Sequence, residues 1–473
     1  MTHTRSLAEF ATGFALDRVP ADVRAETRRM FLDTIACIVA AARTEIGPVV
    51  RAHGPLLGGG EAARAYMLGR LGNALDLEEG VPSGTHFGCG VVGAALALAG
   101  RPGTRGRDLM RALVLGYEIG GRVGDAIGPY YKKEGAAARS FADVWGATTP
   151  VVYAAAATAI ALSCRDADRA MEGFGLAGSY NPVPIGAKWA GEIDLPNTKY
   201  GDTGWSTLAG VFGALAAEAG STGLATILEG ENGLFRMIAA PNADPTILSA
   251  DLGTRWRVRQ VLYKKWPCCR WIHYPLTALV QLLEAHRIAA DEIESVVAEV
   301  GFAAMSARFT TRRPRTFAGY QFSIPHAVAM VLLGVPPGPD WSSRAIAEDP
   351  RTVAMRARVS VGKHHRDWVF GDFRRDTAAP VRLMSSGVAV RARGRSFRAE
   401  TDFAFGDSYH PPMRWGDAEI EAKFRALVDA PEADVILDGV RDLEATDDLG
   451  PLLAAIDAAV AAPPRSGRLA AAE

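Results

Sequence analysis

The chain has 473 residues, of which 48% are hydrophobic and 22% are charged, and its formal net charge is -1. This length allows two domains or one large two-part fold, because single cores stop growing near ~250 to 300 residues. The near-neutral charge argues against a broad surface for nucleic acid. We see no run of about 18 apolar residues and no secretory leader pattern, so we expect a cytoplasmic protein without a membrane partner.

The five cysteines are odd in number and show no Cys-x-x-Cys spacing, which indicates neither a disulfide framework nor a zinc site. Cys268 and Cys269 stand beside basic residues, and such neighbours can lower the pKa of a thiol and create a nucleophile. We favour the simpler interpretation that both belong to a pocket wall.

Helical periodicity dominates the first half of the chain. Apolar residues recur at helical spacing from Pro20 to Arg43, and Ala-rich helices punctuated by glycine are predicted near residues 91–99, 106–126, 146–163 and 204–219. Small residues of this kind let helices approach closely. We therefore predict that the first half forms an all-helical core.

The pattern changes after about residue 255. Alternating β-branched residues predict strands within 293–300, 359–362 and 382–405, with a hairpin turn at Gly394-Arg395. Helical spacing returns at 415–428 and near 449–461. The predicted fold is mainly α, with helical parts at 1–255 and 412–473 and an inserted α/β domain at 256–411.

One segment is rich in groups that bind anions. Lys264–His273 contains two lysines, an arginine and a histidine among apolar residues. Cations in apolar surroundings predict an anionic ligand bound in a partly dry place, and so a site for carboxylates.

Gly88–Gly93 fits the pattern G-x-G-x-x-G, but a loop rather than a strand precedes it, so we reject a nucleotide-binding interpretation. What remains is a glycine-rich helix start, whose free N–H groups and dipole can hold a carboxylate. Close helix packing by the glycines is an equally good explanation.

Asp76, Glu78 and Glu79 lie seven to ten residues before His86. A carboxylate that orients an imidazole fixes its tautomer and raises its basicity, although a lone histidine beside acids is more often a surface feature. No second histidine lies at metal-ligand spacing, so we expect no metal. Lys199 and Tyr200 precede another predicted helix start. Its N–H groups, together with the lysine, predict a second place that favours an anion.

The order of several motifs is informative across nearly the whole chain. These motifs are Leu32–Cys37, Asn73–Asp76, Thr85-His86, Gly116–Arg122, Lys199, Gly230–Gly233, Lys264–His273 and Gln321–Pro325. Their order resembles the MmgE/PrpD family, which includes 2-methylcitrate dehydratase, cis-aconitate decarboxylase and iminodisuccinate epimerase.

The resemblance implies a helical domain built from both chain ends, an α/β lid, a homodimer and a pocket between the domains. It implies cofactor-independent chemistry on a small di- or tricarboxylate through a carbanion or enolate-like intermediate. A lyase, either decarboxylase or dehydratase, is the first hypothesis. An isomerase or epimerase of a carboxylate is the second, and a non-catalytic anion-binding member is the third.

The resemblance also assigns roles to residues of this chain. His86 would be the general acid or base, Lys199 and Lys264 would stabilise negative charge, and Asp76 or Glu78 would orient His86. The expected substrate-binding residues are Glu78, Thr85, Ser140, Tyr200, Arg270 and His273.

The chain also departs from the family pattern. Where the family has a second pocket histidine, this chain has Ser140. Asp143, or Lys132 and Lys133, are the candidate replacements. Loss of this acid–base group shifts weight modestly toward decarboxylation, which needs cationic anchors and one proton donor. Two aromatic replacements, Phe87 and Trp145, predict a pocket shaped for something bulkier than citrate.

Overall fold

The computed structural model describes residues 2–134, 137–144, 146–240, 242–370 and 382–463. Helices predominate and the two sheets are small, which confirms the predicted fold class. Within these ranges, no helix combines the length and the apolar character that crossing a bilayer requires.

In the first half of the chain, one long helix, α2, is buried on all sides from Met30 to Ala42. Pro20 precedes its first turn, where the missing N–H costs no helical hydrogen bond. The helices are α1 (His3–Gly13), α2 (Ala21–Ala42), α3 (Ile46–Leu56), α4 (Gly60–Ala74), α5 (Gly88–Leu98), α6 (Gly106–Ile127), α7 (Thr149–Ser163), α8 (Ala167–Ser179), α9 (Gly186–Ala190), α10 (Thr203–Glu218), α11 (Leu234–Met237) and α12 (Thr246–Ser249).

Glycines bring α4 and α5 into backbone contact. A Cβ added to Gly93 would lie 2.8 Å from the backbone nitrogen of Gly69. Because the two helices pack this closely, they fix the positions of both ends of the loop between them, residues 75–87. That loop carries four of the predicted site residues.

The first half also contains strands, which corrects the expectation of an all-helical core. β1 (Tyr131–Glu134) and β2 (Ala137–Phe141) form an antiparallel hairpin after α6. Two short strands from the second half, β5 (Val369–Phe370) and β6 (Arg382–Leu383), extend it to a sheet of order β1-β2-β5-β6. Periodicity did not predict this hairpin because its strands are short and mostly polar.

A second sheet has the order β4-β3-β7-β8, formed by β3 (Ile293–Val300), β4 (Val359–Lys363), β7 (Ser386–Ala392) and β8 (Arg395–Thr401). β3 and β4 pair in parallel, and the other pairs are antiparallel. The helices in this part of the chain are α13 (Arg270–His286), α14 (Ala307–Thr310), α15 (Phe317–Tyr320), α16 (Ile324–Leu332), α17 (Arg344–Ala347) and α18 (Pro350–Ala357).

The β7–β8 turn lies one residue earlier than predicted. Ala392 pairs with Arg395, so the two turn residues are Arg393 and Gly394, with φ angles of 54° and 68°. Two consecutive positive φ angles are typical of a type I′ turn, which matches the twist of the strands.

The last helices, α19 (Asp417–Leu427), α20 (Ala433–Arg441) and α21 (Gly450–Ala461), return to pack on α2. Lys423 of α19 forms a 2.6 Å ion pair with Asp33 of α2 and donates a hydrogen bond to the carbonyl of Leu77. Helix α19, near the end of the chain, thus stabilises the α4–α5 loop through Lys423. The predicted boundaries at 255 and 411 stay predictions.

We predict that Gly93→Ala lowers the free energy of unfolding by about 1 to 3 kcal/mol, because the added methyl group meets the backbone of α4. Urea denaturation measures the change. Gly100→Ala is the control, since nothing lies within 4 Å of its added Cβ. Equal stability of the two variants would contradict the close packing of α4 on α5.

Candidate active site

A cavity of about 110 Å³ lies where the α4–α5 loop meets the second half of the chain. Six of the ten predicted site residues line it: Asp76, Thr85, His86, Tyr200, Lys264 and Arg270. The remaining four, Lys199, Glu78, Ser140 and His273, do not line the cavity. Asp76 and Arg270, which are 194 positions apart in the sequence, therefore share one cavity.

Asp76 is the centre of a buried group of charges. Its Oδ1 accepts a 2.9 Å hydrogen bond from Nζ of Lys264 and lies 3.7 Å from Nζ of Lys199. Lys264 also donates to the Asp76 carbonyl, and Lys199 donates to the carbonyl of Asn73. All three charged side chains are at most 2% exposed. We call Asp76, Lys199 and Lys264 the ion cluster.

The backbone at this cluster is unusual. Asp76 and Lys199 both have a φ angle of 53°, in the left-handed region that residues other than glycine rarely adopt. Such backbone strain concentrates at functional sites, where the surrounding structure must hold it in place. In this site the two residues with left-handed backbone have side chains that approach each other to 3.7 Å.

Each member of the ion cluster shifts the pKa of the others. Burial alone would raise the pKa of Asp76, but the two lysines hold it well below its usual range. Burial lowers the pKa of Lys199, and Asp76 opposes this shift. For Lys264 the attraction of Asp76 and Glu78 outweighs burial and raises the pKa. The cavity therefore contains an ionised carboxylate and, at Lys264, a firmly protonated ammonium.

His86 is held as a neutral base. Its Nδ1 lies 2.8 Å from the carbonyl oxygen of Glu79, which can only accept, so Nδ1 carries the proton. Burial lowers the pKa of the imidazole, and the charge of Lys264 lowers it further. Nε2 keeps its lone pair and has no hydrogen-bond partner in the described part of the chain. The cavity therefore contains a base that is deprotonated at neutral pH.

Glu78 and Tyr200 lie beside the imidazole of His86 and both accept a hydrogen bond from Asn73. Glu78 Oε1 lies 3.7 Å from Nδ1 of His86 and accepts a hydrogen bond from Nδ2 of Asn73. The same amide donates to the hydroxyl of Tyr200, whose ring stacks on that of His86 at 6.2 Å. Burial and the nearby carboxylates raise the pKa of Tyr200, so its hydroxyl keeps its proton. The imidazole is thus oriented mainly by a backbone carbonyl.

The start of α5 is occupied by a carboxyl group of the protein itself. Gly88 N donates a 2.9 Å hydrogen bond to Oε1 of Glu79. Burial and the charge of Glu78 raise the pKa of Glu79 to about 8. Similarly, Asp202 accepts from the N–H of Gly204 at the start of α10. Neither helix start is free to hold a substrate carboxylate.

Arg270 and His273 do not have the substrate-binding arrangement that was expected of them. Arg270 lines the cavity, but its guanidinium is already paired, with Nη2 at 2.5 Å from Oδ1 of Asp407 and Nη1 at 2.7 Å from the Tyr263 carbonyl. His273 is fully buried against Trp266, whose carbonyl lies 3.1 Å from its Nε2. Arg270 therefore forms part of the cavity wall, and His273 does not line the cavity.

Ser140, Lys132 and Asp143, which were expected at or near the position of the missing histidine, do not line the cavity. Ser140 is exposed on β2, and Lys132 forms an exposed ion pair with Asp143 at 3.0 Å. The side chain of Lys133 and all of Trp145 lie outside the described residues. Phe141, the neighbour of Ser140, does line the cavity.

The two adjacent cysteines are not activated. Burial raises the pKa of Cys268 far above its usual range and that of Cys269 to about 12, so both thiols stay protonated. Cys269 lines the cavity, as expected of a wall residue, whereas Cys268 does not.

Aromatic rings form much of the cavity surface, a feature that the sequence indicated only indirectly. Phe87, one of the residues expected to enlarge the pocket, instead packs on Tyr117 at 4.7 Å outside the lining. The lining rings are Tyr130, Tyr131, Phe141, Trp189, Tyr200, Trp271, Phe302, Phe309, Phe322, Trp368 and Phe370.

Arg308, which sequence reasoning missed, lines the same surface. It is one of four arginines within eight residues, together with Arg312, Arg313 and Arg315, and only Arg308 is buried. Composition alone gives no signal that separates it from its exposed neighbours.

One group of possible metal ligands lies elsewhere. His364, His365 and Glu400 place ligand atoms within 4.8 Å of one another, and none of them lines the cavity. Two of the three are exposed, and such groups are common without an ion. The described residues around the cavity form no comparable group.

Comparisons with known proteins identify the family to which both halves of the chain are similar. Residues 5–245 match the family profile of the MmgE/PrpD N-terminal domain, and residues 266–444 match that of the MmgE/PrpD C-terminal domain. The chain is also similar to the cis-aconitate decarboxylase-like protein oryM of Aspergillus oryzae, with 23% identity over 498 aligned positions that cover 96% of this chain and 97% of the relative.

Replacing Glu79 by glutamine should change how stability depends on pH. The pKa of Glu79 is about 8 in the folded protein against an ordinary 4.5, so the folded state prefers the protonated form. Its contribution to stability is complete below pH 4.5 and falls by up to about 1.4 kcal/mol per pH unit as the pH rises to about 8.

Relative to wild type, E79Q should therefore gain stability between pH 5 and pH 8 in urea titrations. Glu231→Gln, at an exposed position, is the control and should follow the wild-type curve. Parallel curves for wild type and E79Q would show that Glu79 is ionised in the folded protein.

Proposed function

The chain belongs to the MmgE/PrpD family, and on that basis we propose that it is a cofactor-independent lyase acting on a small di- or tricarboxylate. The reaction passes through a carbanion or enolate-like species next to a carboxylate. The observation that carries the proposal is the neutral His86, whose free Nε2 shares a cavity with the ammonium of Lys264.

Two lyase reactions use this arrangement. In dehydration, Nε2 of His86 takes the proton from the carbon beside the carboxylate, the electron pair forms a C=C bond, and hydroxide leaves the neighbouring carbon. In decarboxylation, the bond to one carboxylate breaks, CO₂ leaves, and the remaining electron pair takes a proton from His86 that was protonated from solvent. In both reactions, negative charge develops on the substrate within the cavity that Lys264 and His86 line.

Lys264 supplies the electrostatic part of the catalysis. A fixed cation in a water-poor cavity stabilises developing charge more than it would in water, and this is usually the largest catalytic effect. Asp76 holds the ammonium in position, and Lys199 keeps Asp76 ionised from outside the cavity. Thr85 and Tyr200 line the same cavity, which supports their assignment as substrate contacts.

Isomerisation of a carboxylate is the second candidate. The hydroxyl of Tyr200 retains its proton and its ring stacks on His86, so a second proton donor lies at the cavity wall. Abstraction by His86 and return of a proton from Tyr200 would exchange or invert the carbon without loss of a group.

NMR in D₂O separates these reactions. We expect that incubation of the protein with 2-methylcitrate, cis-aconitate, citrate and amino- or hydroxydicarboxylates gives either a new alkene or a lost carboxylate with at least one of them. Deuterium exchange alone would establish the isomerase instead. Silence across the panel would mean either that the substrate lies outside this set or that the protein only binds an anion.

Two substitutions test the assigned roles on whichever substrate reacts. His86→Ala should lower kcat by about 10²- to 10⁴-fold, and Lys264→Met should lower it by about 10²- to 10³-fold. If the reaction is dehydration or isomerisation, activity should fall only at a pH below the ordinary histidine pKa of 6.5, because neutral His86 is then the base and burial lowers its pKa. Decarboxylation should instead keep or gain activity there, because protonated His86 is then the proton donor. His286→Gln, at an exposed position, is the control. Unchanged turnover of H86A would refute the central role of His86.

A further inference from the structure

Arg308 is a buried cation that has no anionic partner among the described residues. It is 3% exposed and lines the cavity, and within the described part of the chain neither its Nε nor its Nη1 has a hydrogen-bond partner. Burial lowers the pKa of its guanidinium to about 10, and no carboxylate contributes to that shift. Arg270 and Arg382, the other arginines of the lining, both donate hydrogen bonds within the protein.

The surroundings of Arg308 are apolar. Its guanidinium carbon lies 4.4 Å from the ring centre of Trp189, 5.0 Å from that of Phe309 and 5.9 Å from that of Phe322. Contacts with ring faces favour a cation but leave its N–H donors unsatisfied. A buried charge in this state is costly unless an anion pairs with it.

We propose that Arg308 binds a second anionic group of the substrate, a carboxylate, at the opposite end of the cavity from His86 and Lys264. This inference rests on the proposed function, because it places the first carboxylate beside Lys264. The planar guanidinium matches a carboxylate with two parallel hydrogen bonds, which a lysine at that place would not provide.

The spacing of the rings supports two separate ends. From His86 the cavity wall continues to Tyr200 with ring centres 6.2 Å apart, and from Tyr200 to Trp189 at 5.4 Å. Trp189 then contacts Arg308. Cys269 also lines the cavity and lies near enough to both Lys264 and Arg308 for each charge to act on its thiol.

The wall between the two ends determines what joins the two carboxylates. Phe309 and Phe322 contact each other at 5.9 Å beside Arg308, and Phe141 and Trp271 stack at 5.6 Å along the same lining. This wall offers few hydrogen bonds to a chain of hydroxylated carbons. The substrate class is therefore a dicarboxylate whose anionic groups are separated by an apolar alkyl or aryl segment.

Binding of unreactive acids tests the inference without turnover. Isothermal titration calorimetry compares matched pairs of saturated acids: glutarate with pentanoate, adipate with hexanoate, suberate with octanoate, and 1,4-phenylenediacetate with phenylacetate. We expect wild type to bind at least one diacid about 10-fold or more tightly than its matched monoacid. Arg308→Met should remove that preference and leave the affinity for monoacids unchanged.

Two further variants make the result specific. Arg356→Met is the matched control, because Arg356 is 5% exposed, also has Nε and Nη1 without partners, and does not line the cavity. It should keep the diacid preference, and circular dichroism checks the fold of both variants. Arg308→Lys keeps the charge without the planar fork and should restore only part of the preference.

Other outcomes would overturn the inference. If R308M keeps the full diacid preference, or loses affinity for both members of a pair equally, Arg308 is not the second anchor. If wild type binds monoacids through Lys264 but gains nothing from a second carboxylate, this inference fails and the proposed function stands. If no carboxylate binds, both fail.

Discussion

The ion cluster of Asp76, Lys199 and Lys264 ties three distant parts of the chain to one point. Asp76 belongs to the α4–α5 loop, Lys199 precedes α10, and Lys264 comes from the segment before α13. A buried carboxylate with two buried ammonium groups is tolerable only while all three are present, because removal of one partner of such a pair typically costs about 3 to 5 kcal/mol. The position of the cavity and of its charges follows from this constraint.

The same cluster sets the protonation of His86. Lys264 stays charged because Asp76 and Glu78 lie close to it, and its charge disfavours an imidazolium nearby. The Glu79 carbonyl fixes the tautomer. The protein thus keeps a base and a cation side by side, whereas in a less ordered site the lysine would pair with solvent and the histidine would titrate near its ordinary value. Burial and geometry, rather than any unusual residue, produce the site.

Much of the fold could be predicted from the sequence because helical periodicity is local, and α2, α6, α10 and β3 lie close to their predicted positions. The turn at Arg393 and Gly394 was predicted one residue late, since only the strand register decides which residues take positive φ. Arg308 could not be predicted, because its burial depends on Trp189 and Phe322 from other segments. His273 and Ser140 were expected to bind substrate from motif order, which does not show which way a side chain points.

The state of His86 is the most direct test of this account. Nitrogen-detected NMR of protein labelled with ¹⁵N-histidine, with His86→Gln for assignment, reports both the tautomer and the titration midpoint. The account predicts a neutral ring protonated on Nδ1 at pH 7, with a midpoint below the ordinary 6.5. A ring that is protonated on both nitrogens at pH 7, or neutral with its proton on Nε2, would contradict it.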